Sequence, residues 1–405
     1  MHDAQFAELA AWIADAGLDG QAEPDLLAGF CRRALAMGLP LARASVIIDT
    51  LHPVYEGRVF TWQRDKQDIK VVEYGRSSEG EASDNWLRSP FYHLLQTGEV
   101  SLRQKVTEAS ERRFPVLRDF RAAGMTEYLA VVKRFAASGI IGEMDCVYSS
   151  WVTDAPNGFA DVEVAELQRL IPLLALAMKS ASLARIAGTL VETYLGRDAG
   201  RRVLHGRIAR GVADRIEAVL WFSDLRDYTR ITDAAGPGQI IPLLNDYADA
   251  IVSAIHAAGG DVLKLIGDGI LAIFTLDGPG AAGRAALAAA TAARRDIARL
   301  NRRRAAEALP TTDMYLGLHV GEVYYGNIGS TERLDFTVVG PAVNETSRIA
   351  AMCRSVDQPL LCSSAFASAI GEAASGLVSV GRYALRGVGK AQDLFTLEAG
   401  ADGER

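Results

Sequence analysis

Two short runs constrain this chain more than any other. In Ala218-Val219-Leu220-Trp221-Phe222-Ser223-Asp224, five apolar residues read as a buried strand, and Asp224 arrives as that strand ends. In Asp261-Val262-Leu263-Lys264-Leu265-Ile266-Gly267-Asp268-Gly269-Ile270-Leu271-Ala272-Ile273-Phe274, two apolar runs flank Gly-Asp-Gly, which signals a hairpin with Asp268 at its tip. If the two strands are sheet neighbours, Asp224 and Asp268 share one sheet edge. Paired hard carboxylates of this kind suit Mg²⁺ that also holds phosphate oxygens. Taken singly, either run is an ordinary cap or hairpin tip.

Taken together, Phe-Ser-Asp-Leu-Arg-Asp-Tyr-Thr followed by Lys-Leu-Ile-Gly-Asp-Gly resembles the metal-site signature of the class III nucleotidyl cyclases. The resemblance extends from about residue 215 to 397. It implies an α+β, ferredoxin-like catalytic domain, with Asp224 and Asp268 holding two Mg²⁺ (or Mn²⁺) ions per site. Phe222 and Leu225, flanking Asp224, would line the substrate.

Lys264 lies in an otherwise apolar strand and needs a partner or a polar pocket. Asp335, in Leu334-Asp335-Phe336-Thr337-Val338, is the candidate partner. In the resembled family these two positions read the purine, and this pair resembles that of an adenylate cyclase. Lysine can donate to a ring nitrogen of adenine, and aspartate can accept from its exocyclic amine. Asn344 and Arg348 stand four apart on a helix that begins at Pro341, so they share a face. The resemblance gives Asn344 the ribose and gives Arg348 the charge that develops on the transferring phosphoryl group. Lys390, or alternatively Arg386, would hold the triphosphate. One departure stands out: Asp227 occupies a phosphate-loop position where the family usually has Gly.

The implied activity is conversion of ATP to cyclic AMP and pyrophosphate. The family builds each site from two subunits, and this chain carries both halves, so a homodimer with two equivalent sites follows. The rival reading is a non-catalytic nucleotide-binding module, which usually lacks a metal Asp or the Asn/Arg pair. A diguanylate cyclase reading rests on Gly259-Gly260-Asp261, which precedes the hairpin instead of forming its tip.

With 405 residues, two or three domains are expected, and 49% hydrophobic against 23% charged content is that of a soluble globular chain. A net charge of −7 argues against nucleic acid as a partner. No apolar run approaches the roughly 20 residues of a membrane span. Leu170–Met178, among the longest, contains Pro172. The N-terminus has no basic start and apolar core, so no signal peptide is read. Cys31, Cys146, Cys353 and Cys362 form no Cys-x-x-Cys pair and fit reduced thiols in a cytoplasm.

Upstream, helices are expected at 5–19, 24–38, from 89 to 98 and over 113–123. Strands are expected at 44–51, 60–64, 71–74, 126–135 and 144–153. This α+β order resembles a GAF-type sensor, an antiparallel sheet with a small-molecule pocket on one face, and its ligand is unknown. His52, His93 and Cys146 are possible haem ligands, with ordinary polar or core roles favoured. An apolar stripe (Val164, Leu167, Leu170, Leu174, Met178) predicts a long helix over 160–187 that pairs with its copy in a dimer. Arg201, Arg202, Arg207 and Arg210 read as a solvated face or a phosphate site. The expected division is a sensor over 1–159, a helical linker over 160–214 and a catalytic domain over 215–405.

Overall fold

The computed structural model describes residues 3–66, 68–75, 81–136, 141–142 and 144–398. The chain divides into two compact units, Met1–Leu190 and Val191–Arg405.

The first unit is built on one antiparallel sheet of six strands: β1 (Arg43–Asp49), β2 (Gly57–Gln63), β3 (Lys70–Tyr74), β4 (Ser101–Lys105), β5 (Glu127–Arg134) and β6 (Cys146–Thr153), in the order β3-β2-β1-β6-β5-β4. Alternate residues of β1 show why both faces are covered. Ala44, Val46 and Ile48 face a core built with α1 (Asp3–Leu18), α2 (Glu23–Ala36) and α7 (Asp161–Leu195). On the other face Tyr128, Val132 and Tyr148 pack under α4 (Pro90–Thr97) and α6 (Leu117–Ala122), through Phe91, Leu94, Leu117 and Phe120. Helix α3 (Glu81–Leu87) precedes α4. Ser89 caps α4 by accepting from Tyr92 N–H, Pro90 opens it, and Gly98 closes it in the left-handed region.

Four expectations change here. A single helix over 113–123 is instead α5 (Glu108–Arg113) and α6, because Pro115 cannot continue a helix. The long helix is longer than expected, 35 residues, and carries Pro172 inside it. Its stripe of Val164, Leu167, Leu170, Leu174 and Met178 is buried in the core of its own unit, not free to pair with a copy. By length and composition α7 could cross a membrane, which the run-by-run reading missed; here its buried face is core.

The second unit opens with α8 (Arg197–Leu204). Its sheet contains β7 (Ala213–Leu225), β8 (Asp261–Ile266), β9 (Gly269–Phe274), β10 (Met314–Gly329), β11 (Leu334–Val339), β12 (Leu360–Ser363), β13 (Leu377–Tyr383) and β14 (Gln392–Leu397). The order is β13-β14-β12-β10-β7-β9-β8, with β11 paired to β10. Helices are α9 (Tyr228–Ala234), α10 (Pro237–Ala257), α11 (Pro279–Ala306), α12 (Pro341–Val356) and α13 (Ser364–Ile370). On one sheet face α10 and α11 pack over Val219, Trp221 and Leu225, with Ala282, Ala286, Ala289, Ala290 and Ala293 allowing close approach. The unit is α+β, as expected.

Helix α12 is seated by two glycines of β10. A Cβ on Gly317 would lie 2.6 Å from Ala350 N and Thr346 O, and one on Gly321 would lie 2.6 Å from the Ala342 Cβ. The helix therefore runs along β10 with its C-terminal end toward Met314, which pairs with Leu225 at the end of β7.

Candidate functional site

β7 and β9 are hydrogen-bonded neighbours, with Ser223 opposite Ile270, so the end of β7 and the β8–β9 turn meet. The turn holds two residues between Ile266 and Gly269. Gly267 takes φ +64, which suits glycine at the first position of a tight hairpin, and Gly269 sits close to main chain: a Cβ would lie 3.2 Å from Ile266 O and 3.3 Å from Ser223 O. The Gly-Asp-Gly sequence thus closes the hairpin and lets it approach β7.

Asp268 Oδ2 accepts from the backbone N–H of Leu225 at 3.1 Å, which draws the two carboxylates together. Asp224 Oδ1 is buried and has no hydrogen-bond partner. Burial, and next the charge of Asp268, push the Asp224 carboxyl up to about 6, with Arg354 opposing. A buried, orphaned carboxylate oxygen beside a second carboxylate is a site fitted for a divalent cation. Among the described residues no group of three or more His, Cys, Asp or Glu side chains is clustered for a metal. A cation here would therefore take its remaining oxygens from water and substrate, the habit of Mg²⁺ at phosphate sites.

Phe222 is half-buried against the opposite sheet face. Leu225 departs from the expectation that it lines substrate: its side chain is core, and its N–H serves Asp268, so only main chain reaches the site.

Lys264 and Asp335 form an ion pair, each about one-third to one-half exposed (34% and 45%). Their charged ends are therefore open to a ligand. Asn344 and Arg348 lie on α12, exposed and half-exposed respectively. The Arg348 guanidinium lies against Gly387, whose φ is +69 and where a Cβ would be 3.1 Å from Nη1. Arg386 and Lys390 are exposed in that same loop between β13 and β14. Arg348 is held against this loop. It is Arg354, further along α12, that reaches the carboxylate end.

Arg354 is the residue sequence reasoning missed. Its Nη2 donates to Asp227 Oδ1 at 2.6 Å, and Asp227 takes a left-handed φ of 54. The one signal that could have found it was Asp227 itself, a carboxylate in a phosphate loop that needs a cation.

The other sequence candidates are accounted for locally. His52 Nδ1 accepts from Val54 and Tyr55 N–H, His93 lies 2.9 Å from an Arg113 nitrogen, and burial raises the Cys146 thiol. Arg202 and Arg207 pair with Asp214.

Residues 213–398 match the family described as adenylate and guanylate cyclase catalytic domain. The match falls within the second unit and takes in most of it. An adenylate cyclase of Anabaena cylindrica is 38% identical over 143 residues, 34% of this chain and 28% of that protein. Adenylate cyclase 1 of Rhizobium meliloti is 26% identical over 221 residues, 53% of this chain and 33% of that protein. The chain thus spans about a third of the length of these curated relatives. The crystal structure of the adenylyl cyclase CyaB from P. aeruginosa superposes with a TM-score of 0.43 at 22% identity, over 46% of this chain and 96% of that one. The matched stretch holds Asp224, Asp268, Lys264, Asp335, Asn344, Arg348 and Arg354.

Proposed function

We propose that this chain is an adenylate cyclase that converts ATP to 3′,5′-cyclic AMP and pyrophosphate at sites shared between two copies. The observation that carries the reading is the Asp224–Asp268 pair, with a buried carboxylate oxygen left without a protein partner.

In the reaction the ribose 3′ oxygen attacks the α-phosphorus, loses its proton, and pyrophosphate leaves. Divalent cations held by Asp224 and Asp268, two Mg²⁺ or Mn²⁺ per site, would lower the hydroxyl pKa and neutralise phosphate charge. Lys264 donates to a ring nitrogen of adenine while Asp335 accepts from the exocyclic amine, so both wrong partners of guanine meet a mismatched group. Asn344 orients the ribose. Arg348 faces the charge that develops on the phosphoryl oxygens. Lys390 or Arg386 holds the triphosphate tail.

Two features support a homodimer. Within one chain Arg348 lies against the β13–β14 loop and the cation felt at Asp224 is Arg354, which suits an Arg348 that serves the site of a second copy. Leu265, Ile266, Leu334 and Val339, on the strands that carry Lys264 and Asp335, leave apolar surface exposed. Residues 1–159 are read as a GAF-type sensor for a small molecule, 160–214 as the connecting segment and 215–405 as the catalytic domain, in a cytoplasmic protein.

The test is direct. The full chain with ATP and Mg²⁺ should release cyclic AMP, and Asp268→Ala should not. A protein that binds nucleotide without turnover would instead support the regulatory-module reading.

A further inference from the structure

Asp227 poses a problem in charge. It stands in the loop that follows Asp224, where a nucleotide's polyphosphate would lie, and carries a carboxylate of the same sign. Its backbone is also in the left-handed region at φ 54, which glycine adopts without strain and aspartate tolerates. The loop is held firmly: Arg226 N–H donates to Asp313 O at 2.8 Å, and Thr312 Oγ1 donates to Arg226 O. The Asp227 carboxylate therefore has a fixed place, and at that place it receives the guanidinium of Arg354. Arg226 and Arg230 lie further off, at 4.0 and 3.8 Å.

The backbone that carries Arg354 is anchored too. The close contact of α12 with Gly317 anchors the helix one turn before it. The side chain is 71% exposed and uses Nη2 on Asp227, so further N–H donors of its fork remain for a ligand. Its charge is felt at Asp224. An exposed guanidinium held at the edge of a paired-carboxylate site is well suited to phosphate oxygens, because its planar fork matches them.

We propose that Asp227 and Arg354 act as a positioning pair, in which Asp227 orients Arg354 to bind the polyphosphate of the nucleotide held beside Asp224 and Asp268 of the same chain. The inference rests on the cyclase reading and deepens it: a cation from the metal-binding chain joins the basic loop residues of the partner. Arg354 offsets the negative charge that Asp227 introduces, so the two residues depend on one another.

The glycine-compatible backbone makes a clean test. Asp227→Gly removes the carboxylate without straining the loop. The full chain and the variants Arg354→Ala, Arg354→Lys, Asp227→Gly and the Asp227→Gly/Arg354→Ala double are compared for KM and kcat with Mg·ATP, and for ATP binding by equilibrium dialysis. Arg354→Ala should raise KM and the dissociation constant about tenfold or more, as loss of a charge-assisted hydrogen bond implies, with kcat changed less than about threefold. Arg354→Lys should recover part of the affinity. The double variant should bind better than Arg354→Ala alone, since it no longer presents an uncompensated carboxylate to phosphate. Unchanged KM and affinity in Arg354→Ala, or a double variant weaker than Arg354→Ala, would overturn the pair while an active parent chain leaves the cyclase reading standing. A parent chain that neither binds ATP nor releases cyclic nucleotide would overturn both.

Discussion

Lys264 on β8 and Asp335 on β11 form an ion pair across two strands that are not hydrogen-bonded to each other. The pair exists because β11 folds back on the far half of β10 and meets the outer strand of the hairpin. A pair at this level of exposure adds little to stability, on the order of 1 kcal/mol or less. Its value lies in the two hydrogen-bonding ends it presents.

On the proposed reading this pair selects the base. Lys264→Glu combined with Asp335→Cys should cut cyclic AMP formation by about a hundredfold, since each mismatched polar edge leaves a site group unpaired, and should raise use of GTP relative to ATP. Steady-state rates with both nucleotides measure the ratio. A parent chain that prefers GTP contradicts the assignment.

The raised carboxyl of Asp224 makes a stability prediction with a definite sign. Its folded value of about 6 lies above the ordinary 3.8. Between those values the folded chain holds the proton that the unfolded chain has lost, so stability falls as pH rises through this window. In chelator at pH 8, Asp224→Asn should therefore unfold at a higher temperature than the parent, and the difference should vanish below about pH 4. Added Mg²⁺ should stabilise the parent and not the variant. Calorimetry across pH, with and without Mg²⁺, checks all three statements. The same substitution should lower turnover roughly a thousandfold or more.

Gly317 makes a packing prediction. Alanine there would put its Cβ 2.6 Å from two backbone atoms of α12, which cannot rotate away. Gly317→Ala should cost about 1–3 kcal/mol of unfolding free energy in urea titration, in line with other overpacked sites. An unchanged midpoint would show that the helix is not keyed to the strand at this point.

Much of the catalytic unit is legible in the sequence, and the failures share a cause. The strand before Asp224, the Gly-Asp-Gly hairpin and the Asn344/Arg348 helix are local patterns, and the structure has each. β10 is one strand of 16 residues with Gly321 inside it, where a glycine is easily taken for a turn. Gly321 is there for contact with Ala342, not for a turn. Arg304, in the last turn of α11, is 1% exposed, bonded to Asp246 and to Pro310 O, a burial that its place at a helix end does not reveal. The stripe of α7 is legible as a period, but periodicity states only that a face needs cover and not what supplies it. The core of its own unit, built by α1, α2 and the sheet, does so. Arg354 escaped because its partner, Asp227, is 127 positions away and no spacing rule joins them.

The central claim is a cyclase site assembled from two copies, and complementation tests it most directly. Asp268→Ala removes one half of the site and Arg348→Ala the other, so each variant alone should be nearly inactive in cyclic AMP formation. After unfolding and refolding together in equal amounts, half the dimers are mixed and each mixed dimer has one intact site of two, which predicts recovery of about a quarter of the parent activity. Mixed variants that remain as inactive as either alone would contradict the account.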